Sequence, residues 1–284
     1  MKKVRIYEVG PRDGLQNEKQ VVPTAVKVEL INRLSETGLT HIEATAFVSP
    51  KWVPQMADAA DVMAQIKHKA GVIYPVLVPN ERGMEAALKA NATEIAIFTA
   101  ASESFNQKNI NCSITESLER FQPVMKIAKE HNIKVRGYVS CVAGCPYEGD
   151  ITPDAVANVT QKLIALGCYE ISLGDTIGVG TPENITAMLK DVVNVAPVEQ
   201  IALHCHDTRK RALENIRAGL ALGVTVIDSS VGGLGGCPYA TGASGNVATE
   251  SVLEMLHELD IETGVSIEKI RDTAQFIRNH LAHT

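Results

Sequence analysis

Eight short runs rich in β-branched and apolar residues recur along the chain, each followed by a longer stretch with helical periodicity. They lie near residues 5–9, 41–45, 72–78, 94–98, 134–139, 169–173, 201–206 and 226–230. Unbroken strand–helix alternation demands a parallel sheet, because each helical crossover returns the chain to the end where the previous strand began. Eight such units in 284 residues predict one (β/α)8 TIM barrel over 1–284, an α/β fold, rather than two domains. No Gly/Ser/Pro-rich linker interrupts the pattern. No GxGxxG follows the first run, which disfavours an open doubly wound sheet. Thr115-Glu116-Ser117-Leu118 and Thr152-Pro153-Asp154 predict two helix starts with threonine caps. Gly38, Gly167 and Gly223 predict left-handed helix ends, and 266–281 an additional C-terminal helix.

Hydrophobic residues make up 45% of the chain, enough for a substantial core, and the formal net charge is -6. A mildly acidic chain is a poor binder of nucleic acid or anionic membrane. No apolar run approaches the roughly 18 residues of a membrane helix. Met1-Lys2-Lys3-Val4-Arg5 leads straight into the first strand without a signal-peptide pattern, so cytoplasmic residence is expected. The six cysteines are then reduced thiols. Cys141 and Cys145 lack a second pair at zinc-ribbon spacing.

On a (β/α)8 barrel the chemistry sits at the carboxyl ends of the strands. The unusual polar residues fall there: Arg12-Asp13 after the first strand, Glu43 in the second, Asp175 after the sixth, His204 and His206 ending the seventh, Asn246 after the eighth. Two histidines spaced i, i+2 on a strand share a face and can reach one ion. With Asp13, and the amide oxygen of Asn246, they form a mixed nitrogen–oxygen set suited to Mn²⁺, Mg²⁺ or Zn²⁺. Arg12 beside such a set can hold a developing enolate or carboxylate oxygen. Glu43, flanked by apolar residues, needs a partner, and Arg12 is the obvious one. Asp175 reads as a second acid or base, or as the cap of a short turn. The stretch GGLGGCPYATGASGN (232–246) is glycine-dense and suits a mobile flap, with the thiol of Cys237 able to move a proton. A phosphate-cradling loop is the alternative. Trp52, between two prolines, is expected to pack locally.

The segments VGPRDGLQNEK (9–19), FVSPKWVPQMAD (47–58), KNINCS (108–113), RGYVSCVAGCPYEG (136–149), EISLGDTIGVGTP (170–182), HCHDT (204–208) and SSVGGLGGCPYATGASGN (229–246) resemble hydroxymethylglutaryl-CoA lyase. The resemblance implies a Mg²⁺- or Mn²⁺-dependent retro-Claisen cleavage of 3-hydroxy-3-methylglutaryl-CoA to acetyl-CoA and acetoacetate by a homodimer. By position, Asp13, His204, His206 and Asn246 would bind the metal. Arg12 would steady the thioester enolate, Glu43 would organise the metal and Arg12 region, and Cys237 would protonate the acetyl carbanion. Asp13 is the expected base, with Asp175 as helper. Lys19, Lys51, Lys108, Arg136 and Ser172 join Arg12 as expected acyl-CoA contacts. The related condensing enzymes share the HxHD element, but the GPRDGLQ block favours the lyase. A lyase for another branched 3-hydroxyacyl-CoA, a condensing synthase, and a non-catalytic barrel are the competing readings.

Two departures from the family stand out. After HCHDT the family usually continues Tyr-Gly-Gln, whereas this chain has Arg209-Lys210-Arg211, three cations expected in a helix's first turn, where they oppose its dipole. An anionic partner such as a coenzyme A phosphate would account for them. The strand-two block usually reads Thr-Ser-Phe; here Thr45-Ala46-Phe47 lacks a hydroxyl expected near the substrate.

Overall fold

The computed structural model describes residues 3–235 and 245–282. Nine strands form one parallel sheet: β1 (Arg5–Glu8), β2 (His41–Ile42), β3 (Thr45–Ala46), β4 (Val76–Leu77), β5 (Glu94–Ala100), β6 (Lys134–Ser140), β7 (Glu170–Asp175), β8 (Ile201–Cys205) and β9 (Val226–Ser229). Their spatial order, β2-β1-β9-β8-β7-β6-β5-β4-β3, starts and ends on segments that are neighbours in the chain. Residues 41–46 therefore form one stave that changes neighbours along its length. Its first half pairs with β1 and its second with β4. Between the halves, the Glu43 N–H donates to Glu8 O at 2.8 Å and the Ala44 N–H to Pro75 O at 2.9 Å. The sheet thus closes into an eight-stave barrel, as the alternation predicts. The split and the shortness of β4 share a cause. Pro75 has no N–H to give the ladder, so regular pairing stops beside it.

Helices clothe the barrel: α1 (Thr24–Ser35), α2 (Ala59–Gln65), α3 (Glu81–Lys89), α4 (Glu103–Ile110), α5 (Ile114–Glu130), α6 (Pro153–Leu166), α7 (Pro182–Val192), α8 (Ala212–Ala221), α9 (Thr249–Glu258) and α10 (Ile267–Ala282). Thr152 caps α6 by accepting from the Ala155 N–H, with Pro153 in the first turn. The cap of α5 is Ser113, two residues before the expected threonine. It accepts from Glu116 N, and the Glu116 carboxylate accepts from Ser113 N, a complete capping box. Gly38, Gly167 and Gly223 all have positive φ, as expected of helix ends. α10 packs against α1 and against the turn at 231–233, where Arg278 Nη2 donates to Gly232 O at 3.1 Å. Among the described residues no helix is long and apolar enough to cross a membrane.

Strands of the barrel are buried on both faces; all six residues of β7 are inaccessible. Aliphatic side chains fill the layer between sheet and helices. The barrel lumen is different, because charged and aromatic groups occupy it. Arg136, fully buried, meets Asp228 at 2.6 Å and Glu170 at 2.8 Å, and its guanidinium lies 3.9 Å from the centre of the Tyr7 ring. Glu170 also pairs with Arg5, whose Nη1 lies 3.3 Å from His41 Nε2. Burial, with Arg5, Arg136 and Lys134 adding repulsion, pushes the His41 imidazole down to about 3. Unfolding returns the ring to its ordinary range near 6.5, so the unfolded chain takes up a proton that the fold refuses. His41 thus weakens the fold progressively as pH falls from about 7 through 6.5 towards 3. In His41→Gln, thermal melts at pH 7 and pH 5 should show a smaller acid-induced drop in Tm than the parent; parallel profiles would refute the assignment.

Candidate active site at the barrel mouth

The first functional residues are set by a single wide turn. β1 runs directly into one turn of π-helix, Gly10–Gly14, in which Val9 O accepts the N–H groups of Arg12, Asp13 and Gly14 at 3.2, 2.8 and 3.2 Å. Such turns are uncommon and cluster at functional sites. This one places Arg12 and Asp13 side by side at the mouth, Arg12 Nη1 donating to Asp13 Oδ1 at 2.5 Å. On its other side Arg12 engages the buried Glu43, with Nε and Nη2 at 3.0 and 2.8 Å from Oε2. Tyr138 donates its hydroxyl to the same Oε2 at 3.0 Å, and its ring lies 5.4 Å from the Arg12 guanidinium carbon. Desolvation lifts the Glu43 carboxyl, and the attraction of Arg12 only partly offsets it. Tyr138 carries no charge or metal-ligand signature, which is why a sequence search for such groups passes over it. Its i, i+2 spacing from Arg136 on β6 puts both in the lumen.

His204 on β8 and His206 just beyond it converge on Asp13. One ligand atom from each of the three residues fits within a mutual 4.8 Å. His204 Nε2 lies 3.8 Å from Asp13 Oδ2. Burial tends to raise the Asp13 carboxyl, but Arg12, His204 and His206 together hold it well below the usual carboxylate range. It is therefore ionised at any working pH, as a ligand should be. Burial and the neighbouring His204 hold the His206 ring down at about 4, so it is neutral, and its Nδ1 is buried with no partner among the described residues. A neutral imidazole with an unspent nitrogen, beside a fixed carboxylate, is what a divalent cation requires. Asn246 joins the group: its amide nitrogen donates to Asp13 Oδ2 at 2.8 Å and to Leu234 O at 3.2 Å, leaving the amide oxygen for a cation. The donor set thus fits a divalent cation.

All of Arg12, Asp13, His204, His206 and Asn246 line one cavity of about 660 Å³, with Tyr138, Phe98, Thr176 and Lys108. Trp52 lines it too and is 79% exposed, so it does not pack locally as its flanking prolines suggested. The loop extends the ring over the mouth instead, with Lys51 Nζ 5.5 Å from the ring centre.

Several expected contacts lie elsewhere. Lys19 and Lys51 are exposed and do not line the cavity; Lys108 does. Arg136 and Ser172 sit one layer beneath it, both fully buried and bonded to Asp228, so neither is free to touch a substrate. Asp175 is also committed. Its two oxygens accept the N–H groups of Val179 and Gly180 at 3.1 and 2.8 Å, which makes it the anchor of the loop after β7 rather than a helper base. Ala46 lines a different pocket, of about 380 Å³ beside α3, so the missing hydroxyl is not missing from the cavity that holds Arg12 and Asp13. Arg209, Lys210 and Arg211 are exposed in the turn before α8, with Arg211 at its N-cap and Lys210 3.6 Å from Asp207. They precede the first turn instead of occupying it, and Asp207 accepts the Ala212 N–H at 3.1 Å in the capping role. Cys237 lies outside the described residues.

The fold and the convergent donor set define a class: a (β/α)8-barrel enzyme with a candidate metal centre at the carboxyl ends of its staves. Comparison with known proteins narrows this. Residues 3–277 match the family model described as HMGL-like. The mitochondrial hydroxymethylglutaryl-CoA lyase of Gallus gallus is 61% identical over 279 residues, covering 98% of this chain and 94% of that protein. The crystal structure of the HMG-CoA lyase from Brucella melitensis is 56% identical, with a TM-score of 0.97 over 98% of this chain and 99% of that one. An HMG-CoA lyase from Acinetobacter baumannii, solved in complex with coenzyme A and 3-methylmalate, is 35% identical, with a TM-score of 0.94 over 99% and 92% of the two chains. The chain belongs to the HMG-CoA lyase family.

The position of Asn246 depends on Gly235. That residue has φ +100°, and a Cβ built on it would approach Asn246 Nδ2 to 2.8 Å. Gly235→Ala should therefore cost about 1–2 kcal/mol in backbone strain. It should also weaken Mn²⁺ binding several-fold by displacing the asparagine. Thermal melts and Mn²⁺ titration check the two effects separately.

Proposed function

We propose that this chain cleaves 3-hydroxy-3-methylglutaryl-CoA to acetyl-CoA and acetoacetate. The observation that carries the reading is the convergence of Asp13, His204 and His206 within 4.8 Å in the cavity that also holds Arg12. A divalent cation bound there, Mg²⁺ or Mn²⁺, would supply Lewis-acid polarisation of the substrate's tertiary hydroxyl. In the reaction the hydroxyl gives up its proton, its carbon becomes the ketone of acetoacetate, and the bond to the acetyl methylene breaks. The electron pair moves onto the thioester as an enolate, which takes one proton to give acetyl-CoA.

Arg12 is placed to meet that charge. Its guanidinium is held rigidly by Asp13 and Glu43 and is itself nearly buried, and a fixed cation shielded from solvent acts more strongly than one in water. Asp13, kept ionised by Arg12, His204, His206 and Asn246, would offer one oxygen to the cation and is proposed as the acceptor of the hydroxyl proton; a weak base suffices because a bound cation would lower the hydroxyl's pKa. Glu43 and Tyr138 lock the Arg12 fork in place. Cys237, outside the described residues, is proposed as proton donor to the enolate; the glycine-dense stretch around it is the support for this. Coenzyme A is proposed to run outward past Lys108 and Trp52, both of which line the cavity. We read residues 1–284 as one catalytic domain, consistent with the single family match over 3–277. The five described cysteines are all free and buried, which agrees with a cytoplasmic location. A homodimer is proposed from the family resemblance, and sedimentation would check it.

Enzyme stripped with EDTA should release no acetoacetate from 3-hydroxy-3-methylglutaryl-CoA and should regain turnover with Mg²⁺ or Mn²⁺. A panel including longer branched 3-hydroxyacyl-CoA esters, and 2-oxo acids with acetyl-CoA, tests the acyl group and the condensing direction. Turnover by metal-loaded enzyme on none of them would overturn the reading. Arg12→Gln should lower kcat on the order of 10²–10³-fold, with a smaller change in KM.

A further inference from the structure

One interior carboxylate beneath the cavity receives more donors than charge balance requires. Asp228, in β9, is 1% exposed. Arg136 forks onto it, Nη1 to Oδ2 at 2.9 Å and Nη2 to Oδ1 at 2.6 Å. The Ser172 hydroxyl donates to Oδ2 at 2.7 Å. The remaining approach to Oδ2 comes from His204 Nδ1 at 3.3 Å, and strand pairing sets His204 directly opposite Asp228. The other ring nitrogen, Nε2, is the one 3.8 Å from Asp13.

An ionised carboxylate only accepts hydrogen bonds, so in the neutral ring the proton sits on Nδ1 and the lone pair on Nε2, the side of the metal set. We propose that Asp228 is the positioning residue of the metal centre: it fixes the tautomer and ring direction of His204, and is itself fixed by Arg136 and Ser172. Among the described residues His206 has no such support, its Nδ1 being without a partner there. The two histidines are therefore unequal, with His204 the pre-aimed ligand. Three strands, β6, β7 and β9, supply the side chains that aim the fourth, β8.

The inference rests on the metal-centre reading above, and Asp228→Asn separates the two. Arg136 would capture the amide oxygen of the asparagine, turning its NH2 towards His204 Nδ1. The ring proton would then move to Nε2 and obstruct the ligand position. Mn²⁺ binding to EDTA-treated protein, followed by EPR without substrate, should weaken about 10–100-fold in this variant. Asp13→Ala, as reference, should lose binding altogether. Independently, ¹⁵N-histidine NMR of the metal-free parent, at a pH where the ring is neutral, should show His204 as the Nδ1–H tautomer. Folded Asp228→Asn protein with Mn²⁺ affinity within twofold of the parent would overturn the proposal alone. So would an Nε2–H ring in the parent, a result that stands even if the variant does not fold. Mn²⁺ binding undisturbed by Asp13→Ala would overturn the metal centre and this inference with it.

Discussion

Everything in the barrel lumen answers to one constraint: a charge removed from water must meet its counter-charge there. The Arg136–Asp228 pair is the centre of that arrangement. Below it, Glu170 and Arg5 continue the alternation to the floor; above it, His204, Asp13, Arg12 and Glu43 carry it to the mouth. Buried ion pairs of this kind contribute little net stability, because desolvation offsets most of the attraction. Their effect is on geometry. Each member has few alternative partners, so each side chain has one place to be. An aliphatic lumen would give the usual layered packing, but it would leave the catalytic layer resting on groups without directional preference.

The active layer inherits its order from this column. Asp13 and Arg12 come from a π-turn whose three N–H groups share one carbonyl, so their backbone is as fixed as a strand's. His204 comes from a strand hydrogen-bonded on both sides. The loops contribute other things: Trp52 and Lys108 give the cavity its rim, and Asp175 ties the turn after β7 to the barrel. Rigid staves hold the reacting groups, and adaptable loops meet the larger part of the ligand.

Much of this was legible in the residues. The strand–helix alternation specifies the barrel because no other parallel arrangement uses eight units so simply, and the i, i+2 histidines declare a shared face. The Arg12–Glu43 pair follows from the cost of burying Glu43 alone. What escaped detection depends on distances along the chain that local patterns do not encode. Arg136 and Ser172 look like ligand contacts because they are polar and lie in characteristic blocks. Their real partner, Asp228, is 92 residues from Arg136 and 56 from Ser172, and strand register alone unites them. Asp175 looks like an acid because nothing in the sequence says that its own loop curls back onto both its oxygens. Stave 41–46 reads as one strand, and the proline that divides it belongs to the neighbouring stave.

The final helix is more than an appendage to the barrel. Arg278 reaches the carbonyl of Gly232 and the carboxylate of Glu250, while the other oxygen of Glu250 accepts the Gly232 N–H. Gly232 opens the glycine-dense stretch 232–246. The last helix is therefore braced against the residue at which that stretch begins. Truncation into α10 as far as Arg278 removes that brace, whereas changes before β1 meet only the barrel floor.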